Sequence, residues 1–373
     1  MKTPALSLSR RLRKSPFEAR SLASATAASV YNHVPLPTAY ASLEDDYWHL
    51  REHVQIWDVA CQVQVQIKGR NALKLVEYLT PRDVSRIVPG QCMYAPLIDE
   101  HAGIVNDPII LCLAADHYWL SISDSDVLLW VKGLAMGGGF DVEVTDPDVF
   151  PLAIQGPKAE VLLDRLIDEP AADIRPFRFI HTQIASTPVL VARTGWSGQG
   201  GFEMYLERPS EGLRLWDAIV SAGGDLSLRP GCPNLIDRIE TGLLSYGNDM
   251  TLRNNPIEAG LDRFFKLGKE ADYLGREALE KIAQTGPGLR MVRLAVPGEA
   301  IANPRETYAM RVGDAQDAGY VTSITYSPRL KCNVGLGYAP ASQSTAGTDV
   351  AIETSAGLAE GKIASHEWQT TAD

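Results

Sequence analysis

A glycine-rich turn followed by an alternating segment, residues 193–206, carries side chains suited to hold a ligand. A period of two places Glu203 and Tyr205 on one face of a strand and three apolar residues on the other. An ionised glutamate only accepts hydrogen bonds, so a carboxylate beside a phenol suits a flat ligand with two adjacent N–H groups. The alternative is an edge hairpin whose polar face contacts water. The three apolar residues are Phe202, Met204 and Leu206.

A second chemical feature is Asp107, which interrupts the apolar residues 104–111 together with Pro108. Because proline removes a ladder hydrogen bond, this point is predicted to be a sheet edge or a bulge. Asp107 then either caps irregular backbone or points into a pocket. Tyr94 lies one predicted strand earlier, and it either reaches the same space or is a core tyrosine.

Aromatic and basic residues offer further binding groups. Trp196 lies inside the glycine turn, where its ring either faces a cation or packs across the hairpin. Arg238 either meets a ligand or forms a solvated or intrahelical ion pair. Basic residues also gather near the start of the chain, where no acid precedes Glu18, and they form either a solvated tail or an arm over a small anion. They are Arg10, Arg11, Arg13, Lys14 and Arg20.

Composition narrows the class of protein. A chain of 373 residues has room for two or three domains, and its net charge of −11 argues against nucleic-acid or anionic-membrane partners. Five cysteines without a C-x-x-C pair argue against a disulfide framework, a zinc ribbon or a redox motif. No apolar run is long enough to span a bilayer, and there is no signal-peptide core. We therefore expect a cytoplasmic protein, although the basic, serine-rich residues 1–15 leave a transit peptide open.

Several well-known catalytic motifs are missing. The sequence has no G-x-S-x-G elbow, no phosphate-binding loop, no H-E-x-x-H and no dinucleotide fingerprint. Its seven histidines show no metal-ligand spacing. Metal, nucleotide and hydrolase functions all lose support.

The pattern of elements predicts a duplicated α+β half. A strand at 63–67, a turn at Gly69 and a helix at 72–79 are followed later by a strand at 152–154, a turn at Gly156 and a helix at 159–166. Two strands and a helix follow each unit. They are predicted at 104–111, 118–122 and 127–134, and at 189–192, 202–206 and 213–220.

Other segments complete the predicted architecture. Ser42 and Asp45 form a capping box for a helix that carries Leu43, Tyr47, Leu50 and Val54. A later helix has Leu235, Ile236, Ile239 and Leu243 on its apolar face and Gly247 after its last turn. Residues 284–288 are a linker to short strands. We therefore predict two regions: residues 1–283, which contain the two α+β halves at about 55–140 and 141–265, and a small β domain at 284–373.

Taken together, these segments resemble the folate-dependent aminomethyltransferase family, to which the T-protein of glycine cleavage belongs. The matching segments cover most of the chain in order. They are Gly90-Gln-Cys-Met-Tyr94, Gly103-Ile-Val-Asn-Asp107, Gln155-Gly-Pro157, Arg193-Thr-Gly-Trp-Ser-Gly-Gln-Gly-Gly-Phe-Glu203, Arg238-Ile-Glu240, Leu244-Ser-Tyr-Gly-Asn-Asp249, Asn255-Pro-Ile-Glu-Ala-Gly260, Tyr273-Leu-Gly-Arg-Glu277 and Val321-Thr-Ser323 with Tyr326-Ser-Pro328.

Within that family, details are most similar to the dimethylsulfoniopropionate demethylase branch. They include Val30-Tyr-Asn-His33, Val54-Gln-Ile-Trp-Asp58, Ile122-Ser-Asp-Ser-Asp126, Gly195-Trp-Ser-Gly-Gln-Gly-Gly201 and Gly231-Cys-Pro-Asn-Leu235. Trp196-Ser197 and the segment from Asp58 to Cys61 depart from the T-protein pattern, so no lipoyl carrier protein is expected as a partner.

The resemblance implies a three-domain fold, with two related α+β domains around a folate channel and a C-terminal β-barrel-like domain. Tetrahydrofolate is the implied co-substrate. Glu203 would hold the pterin edge beside Tyr205, and Arg238 and Tyr94 would contribute to the folate site. Asp107 would be catalytic and face the travelling methyl group, so that both carboxylates meet one pterin. Trp196, Tyr94, Arg11 and Arg13 are the expected residues for the methyl donor.

The implied reaction is methyl transfer from a sulfonium to N5 of tetrahydrofolate. Rival donors are a quaternary or tertiary amine and an aryl methyl ether, and glycine-cleavage aminomethyl transfer is a further alternative. A rival of another class is a folate-binding protein without catalysis. A homodimer remains open.

Overall fold

The computed structural model describes residues 9–313 and 315–365. Within them the chain forms eight α-helices and 21 strands. The helices are α1 Glu18–Ser21, α2 Leu43–Glu52, α3 Ala72–Leu79, α4 Val127–Gly137, α5 Ala159–Leu163, α6 Gly212–Ala222, α7 Leu235–Thr241 and α8 Arg276–Thr285.

The strands are short in the first two-thirds of the chain and longer near its end. They are β1 Ala27–Tyr31, β2 Val34–Ala39, β3 Gln55–Asp58, β4 Gln64–Lys68, β5 Gln91–Tyr94, β6 Leu97–Ile98, β7 Ile104–Asn106, β8 Ile109–Ala114, β9 His117–Ser121, β10 Glu143–Thr145, β11 Phe150–Gln155, β12 Phe179–Ile184, β13 Thr187–Ala192, β14 Gly201–Leu206, β15 Arg229–Gly231, β16 Leu289–Val296, β17 Tyr308–Val312, β18 Ala315–Ser327, β19 Cys332–Pro340, β20 Asp349–Thr354 and β21 Gly357–Ala364.

The chain divides into two compact units. The first contains the residues up to Gln64 with Asp146–Gly195 and Gln199–Pro233. Its six-stranded sheet has the order β12-β13-β14-β11-β3-β15 and is antiparallel except for the β15–β3 pair. One face of this sheet packs on α5 and α6 around a core that includes Phe202, Met204 and Leu206.

The second unit contains Val65–Thr145, Trp196–Gly198 and the residues from Asn234 onward. It holds a five-stranded sheet of order β10-β4-β9-β8-β5, the β6–β7 pair and a closed barrel of order β16-β19-β18-β17-β20-β21. The barrel confirms the predicted C-terminal β module. Barrel closure leaves no edge strand open to further pairing.

The predicted duplication is visible in the order of the strands. The order β11-β14-β13-β12 in the first unit matches β4-β9-β8-β5 in the second, element for element in chain position within each repeat. The sheets differ next to the first strand of each repeat, where β10 pairs with β4 but β3 lies between β11 and β15. Each repeat also turns from its strand into its helix at a glycine with positive φ, 141° at Gly69 and 127° at Gly156. A Cβ at either glycine would lie under 3 Å from backbone, at Asp141 O and His53 O respectively. Only glycine fits such a turn without strain.

Other local predictions were right in kind but wrong in extent. Ser42 caps α2, and its Oγ accepts a hydrogen bond from Asp45 N at 3.0 Å. The helix ends at Glu52, so Val54 lies beyond it. Similarly α5 ends at Leu163, because the Asp164 carboxylate accepts a hydrogen bond from Ala171 N and the chain turns there.

Two further predictions need larger corrections. Helix α7 ends at Thr241 and is capped by Gly242 at φ 74°, so Gly247 is not the residue after its last turn and Leu243 is outside it. Residues 104–111 are not one strand. They form β7 and β8, which belong to different sheets, because the chain leaves one sheet at the irregular Asp107-Pro108 step.

Candidate active site

The first unit positions Glu203 in the middle of β14. Its Oε2 accepts hydrogen bonds from Thr194 Oγ1 at 2.5 Å and from Tyr205 Oη at 3.3 Å, and the Gln62 side chain also donates to the carboxylate. Glu203 is 4% exposed. Burial raises the pKa of this carboxyl, and the three hydrogen bonds act in the opposite direction. Glu203 and Tyr205 therefore share the polar face that the period of two predicts.

Small residues flank Glu203 across the sheet. Its partners in the two neighbouring strands are Ala153 on β11 and Ala192 on β13. An ionised carboxylate has about four acceptor positions, so three protein donors do not exhaust it. The Glu203 carboxylate can therefore accept further hydrogen bonds, and no large side chain stands at the paired positions. Both features suit a flat ligand that presents N–H groups along one edge.

The second unit positions Asp107 between β7 and β8. Tyr94 Oη donates to its Oδ2 at 3.1 Å, and Ser123 Oγ donates to its Oδ1 at 2.8 Å. The residue is partly exposed, yet desolvation of its carboxyl raises the pKa of Asp107 to about 7, against the opposing effect of the two hydrogen bonds. A carboxyl that titrates near neutrality can hold a charge or take up a proton at working pH.

Asn106 fixes the segment that supplies Ser123. Its Nδ2 donates to Ser123 O at 3.1 Å and to Ser125 Oγ at 3.0 Å, and its Oδ1 accepts from Ser123 N at 3.0 Å. Asn106 is fully buried. The hydroxyl that orients Asp107 is thus held by a satisfied buried amide.

Tyr94 ends β5 and joins Asp107 to an aromatic cluster. Its ring meets that of Phe264 edge-on, with 4.7 Å between centroids. Burial and the neighbouring Asp107 carboxyl raise the pKa of the Tyr94 phenol well above its ordinary value, so it remains a donor. Of the two alternatives that the sequence left open for Tyr94, the structure shows the one in which it reaches Asp107.

Arg238 is neither solvated nor paired within its own helix. It is 4% exposed, and its guanidinium pairs with Asp249 at 2.7 Å and donates to Ser323 Oγ at 2.6 Å. Asp249 also accepts from the hydroxyls of Thr322 and Ser323. The guanidinium carbon lies 5.8 Å from the centre of the Trp196 ring, so this ring already has a cation beside it.

The basic N-terminal residues differ from one another. Arg13 pairs with Asp146 at 2.8 Å, and its guanidinium lies 5.9 Å from the Phe150 ring centre, whereas Arg11 is exposed. The residues that follow are built into the first unit, because the hydroxyls of Ser15 and Ser21 donate to the buried carboxylate of Asp58 at 2.8 and 2.7 Å. The pKa of Asp58 is raised by burial. From Ser15 onward the segment is therefore part of the fold.

Several important side chains did not stand out in the sequence. Thr194 and Ser123 lie within segments that resemble the family, but a lone hydroxyl gives no signal of the carboxylate it will meet. Asp249 lies in a turn with ordinary loop composition, and Asp58 follows a tryptophan on a buried strand. A polar residue inside an apolar run, as at Asp58, was the one available signal.

No group of three or more His, Cys, Asp or Glu residues in the described part of the chain is arranged to hold a metal ion. All five cysteines are free. No helix among the described residues is both long and apolar enough to cross a membrane.

Comparison with known proteins defines the class. Residues 18–269 match the family model of the GCVT N-terminal domain, and residues 290–367 match that of the glycine cleavage T-protein C-terminal barrel domain. The chain belongs to this aminomethyltransferase family. A crystal structure of the glycine cleavage system aminomethyltransferase T from Bartonella henselae has the same fold, with a TM-score of 0.84 over 95% of this chain and 98% of that one at 24% identity.

Individual relatives are also similar over nearly their full length. The chain is 45% identical over 351 residues to the dimethylsulfoniopropionate demethylase of Ruegeria pomeroyi, covering 94% of this chain and 95% of that protein. It is 35% identical over 324 residues to an aminomethyltransferase of Halalkalibacterium halodurans, covering 85% and 87%. The predictions of a one-carbon transferase and of tetrahydrofolate as its co-substrate are confirmed.

The residues present fit a folate. A reduced pterin offers adjacent N–H groups on one ring edge, and the buried Glu203 carboxylate is an acceptor oriented by two hydroxyls. When bound, the folate supplies the nucleophilic nitrogen of the reaction. That Glu203, with Tyr205 beside it, holds the pterin ring stays a prediction.

Proposed function

We propose that this enzyme transfers a methyl group from dimethylsulfoniopropionate to N5 of tetrahydrofolate, with methylthiopropionate and 5-methyltetrahydrofolate as products. The observation that carries the proposal is the Asp107 carboxyl, held by Tyr94 and Ser123 and with a pKa raised to about 7. The 45% identity to a dimethylsulfoniopropionate demethylase supports this donor.

The reaction needs little acid catalysis. The carbon–sulfur bond breaks with its electron pair left on sulfur, a carbon–nitrogen bond forms, and the nitrogen loses its proton. A thioether leaves without protonation, so the protein has to align the reactants and to stabilise positive charge where it arrives.

Asp107 is the group we assign to that charge. An ionised carboxylate fixed by two hydrogen bonds needs no reorganisation when positive charge moves toward it, so it stabilises the transition state more than the ground state. The same carboxylate is a suitable acceptor for the released proton. Tyr94 and Ser123 orient it, and they keep its pKa from rising further.

Glu203 and Trp196 are assigned to binding. Glu203 holds the pterin edge, with Thr194 and Tyr205 fixing the carboxylate. Trp196 offers a ring face to the sulfonium, worth about 1–2 kcal/mol when desolvated. Arg238 lies against this ring and is itself tied to Asp249, so it positions the indole. The action of Glu203 and Asp107 on one folate stays a prediction.

The principal rival is aminomethyl transfer as in glycine cleavage, which the 35% identity to an aminomethyltransferase favours. An amine donor is the other rival, although an amine is a poorer leaving group than a thioether. We expect no requirement for a lipoyl carrier protein.

Proton NMR of the purified enzyme with tetrahydrofolate and a panel of donors tests the proposal. The panel contains dimethylsulfoniopropionate, glycine betaine, dimethylglycine, an aryl methyl ether and an aminomethylated lipoyl carrier protein. We expect a thioether methyl signal to appear with the sulfonium alone. Turnover of an amine or ether in preference to the sulfonium, or turnover only with an aminomethylated lipoyl carrier, would contradict it.

A further inference from the structure

Two arginines of the second unit flank the aromatic ring that contacts Tyr94. The guanidinium carbon of Arg82 lies 5.7 Å from the centre of the Phe264 ring, and that of Arg263 lies 4.7 Å from it. Phe264 is in edge contact with Tyr94, whose hydroxyl holds Asp107. Two positive charges therefore lie one aromatic ring away from the Tyr94–Asp107 pair.

Neither guanidinium forms an ion pair or donates a side-chain hydrogen bond to any residue in the described ranges. The acids next to them in sequence are engaged elsewhere. Asp262 lies 3.6 Å from Arg290, and Asp83 accepts hydrogen bonds from Ser85. Neither acid next to the two arginines in sequence therefore neutralises them through an ion pair.

The guanidinium of Arg82 is partly buried and has no acidic partner among the described residues. Burial lowers its pKa, and no acid acts in the opposite direction. A guanidinium carries five donors, and partial burial without acceptors is unfavourable. Arg263 is exposed and adds a second positive charge, which opposes the rise in the pKa of Tyr94 caused by burial and Asp107. Such a pair favours an anionic ligand.

Two other arginines that the sequence marks as candidate binding groups already have acidic partners. Arg238 donates to Asp249, Ser323 and Leu243 O, and Arg13 is paired with Asp146. If the proposed function holds, both small molecules of the reaction carry a carboxylate: the sulfonium donor has one, and the folate has its glutamate tail. The Arg82–Arg263 pair has the charge and the fork geometry that a carboxylate takes.

We propose that Arg82 and Arg263 form a carboxylate-binding pair that holds one of the two reactants beside Asp107. This inference rests on the proposed function for the identity of the ligands, but not for the presence of an anion site. The shared chemistry is a carboxylate on a small molecule, and the donor and the folate tail are its two possible sources.

Equilibrium binding separates the two sources without requiring turnover. Isothermal titration is carried out on the full-length enzyme and on Arg82→Gln and Arg263→Gln, with Arg86→Gln as a matched control because Arg86 is exposed and close in sequence. One arm compares tetrahydrofolate with 6-methyltetrahydropterin, which keeps the reduced pterin ring and carries no carboxylate. The other compares dimethylsulfoniopropionate with its amide, which lacks the carboxylate.

Each variant should weaken binding of one carboxylate-bearing ligand about tenfold, as loss of a charged hydrogen bond does. The matching carboxylate-free analogue should bind the variants and the wild type alike, and Arg86→Gln should change nothing. The ligand whose binding weakens is the one that supplies the carboxylate. Arg263 is exposed, so its variant should fold even if Arg82→Gln does not.

The proposal is overturned if both acids bind the variants within about twofold of the wild type, or if the analogues weaken equally. Failure of the wild type to bind either acid would overturn it as well. Failure of the proposed function has a different signature: the wild type would bind folate and show the arginine dependence, yet leave the sulfonium unconverted.

Discussion

The phenol of Tyr94 donates to Oδ2 of Asp107 at 3.1 Å, at the step where the chain passes from one sheet to another. Ser123 holds the second oxygen, so the carboxyl has a fixed orientation. Desolvation favours its protonated form and the two hydrogen bonds favour its ionised form, and the balance raises its pKa to about 7. Asp107 thus lies at an irregular step of the backbone, its carboxyl has a fixed orientation, and its pKa is near neutrality.

The rate should depend on pH through Asp107. Because the ionised form stabilises arriving positive charge, turnover should rise as pH increases through about 7 and then level off. Tyr94→Phe removes a hydrogen bond that lowers the pKa, so its profile should shift to higher pH. Profiles of kcat for the wild type and Tyr94→Phe, with Tyr326→Phe as a control, check this. A midpoint that stays fixed or moves to lower pH would exclude the assigned role.

Folate affinity should depend on the charge of Glu203. Glu203→Gln replaces an acceptor oxygen by an amide donor facing the pterin N–H groups, and we expect tetrahydrofolate binding to weaken about tenfold to a hundredfold. Titration calorimetry measures the effect. Glu207→Gln, one residue beyond the strand and exposed, is the matched control. Equal affinities for Glu203→Gln and the wild type would place the pterin elsewhere.

Trp196 should act on donor binding rather than on chemistry. Trp196→Ala should raise the half-saturating donor concentration about tenfold, in line with loss of a cation–π contact, and change kcat little. Trp196→Phe keeps an aromatic ring with a weaker cation–π contact, so its half-saturating donor concentration should lie between those of the wild type and Trp196→Ala. Steady-state kinetics with varied donor give the two constants separately. A fall in kcat at an unchanged half-saturating concentration is the result that this assignment does not allow.

The Arg238–Asp249 pair should dominate the stability of the second unit around α7. Both residues are at most 4% exposed, and Asp249 accepts from Thr322 and Ser323 in the barrel as well. Asp249→Ala leaves a buried guanidinium without its partner, so we expect the free energy of unfolding to fall by about 3–5 kcal/mol. Denaturant titration, with the exposed Asp272→Ala as control, measures it. A loss equal to that of the control would show that the pair contributes nothing.

Local patterns predicted much of this molecule. Alternation along β14 placed Glu203 and Tyr205 on the face opposite the core, and glycines at positions 69 and 156 marked the two equivalent turns. These features depend on neighbours in sequence, where period and turn chemistry are informative. The end of α7 was missed because Leu243 continues the apolar spacing, although Gly242 already has a left-handed backbone.

Contacts between distant residues were not predictable in the same way. Arg238 meets Ser323 across 85 positions and Asp249 across 11, and nothing in either segment's composition specifies the other. The split of residues 104–111 between two sheets was visible only as an irregular Asp-Pro step. The family resemblance supplied roles for Asp107 and Glu203, but not the hydroxyls of Ser123 and Thr194 that orient them.

The central claim is that Asp107 acts on the methyl transfer itself. A single-turnover measurement with dimethylsulfoniopropionate carrying a ¹³C-labelled S-methyl group, at saturating tetrahydrofolate, follows the label from sulfur to nitrogen. We predict label transfer by the wild type, a transfer rate about a hundredfold lower in Asp107→Ala, and a near wild-type rate in Glu203→Gln once folate saturates. An unchanged rate in Asp107→Ala, or no transfer of label by the wild type, would contradict the account.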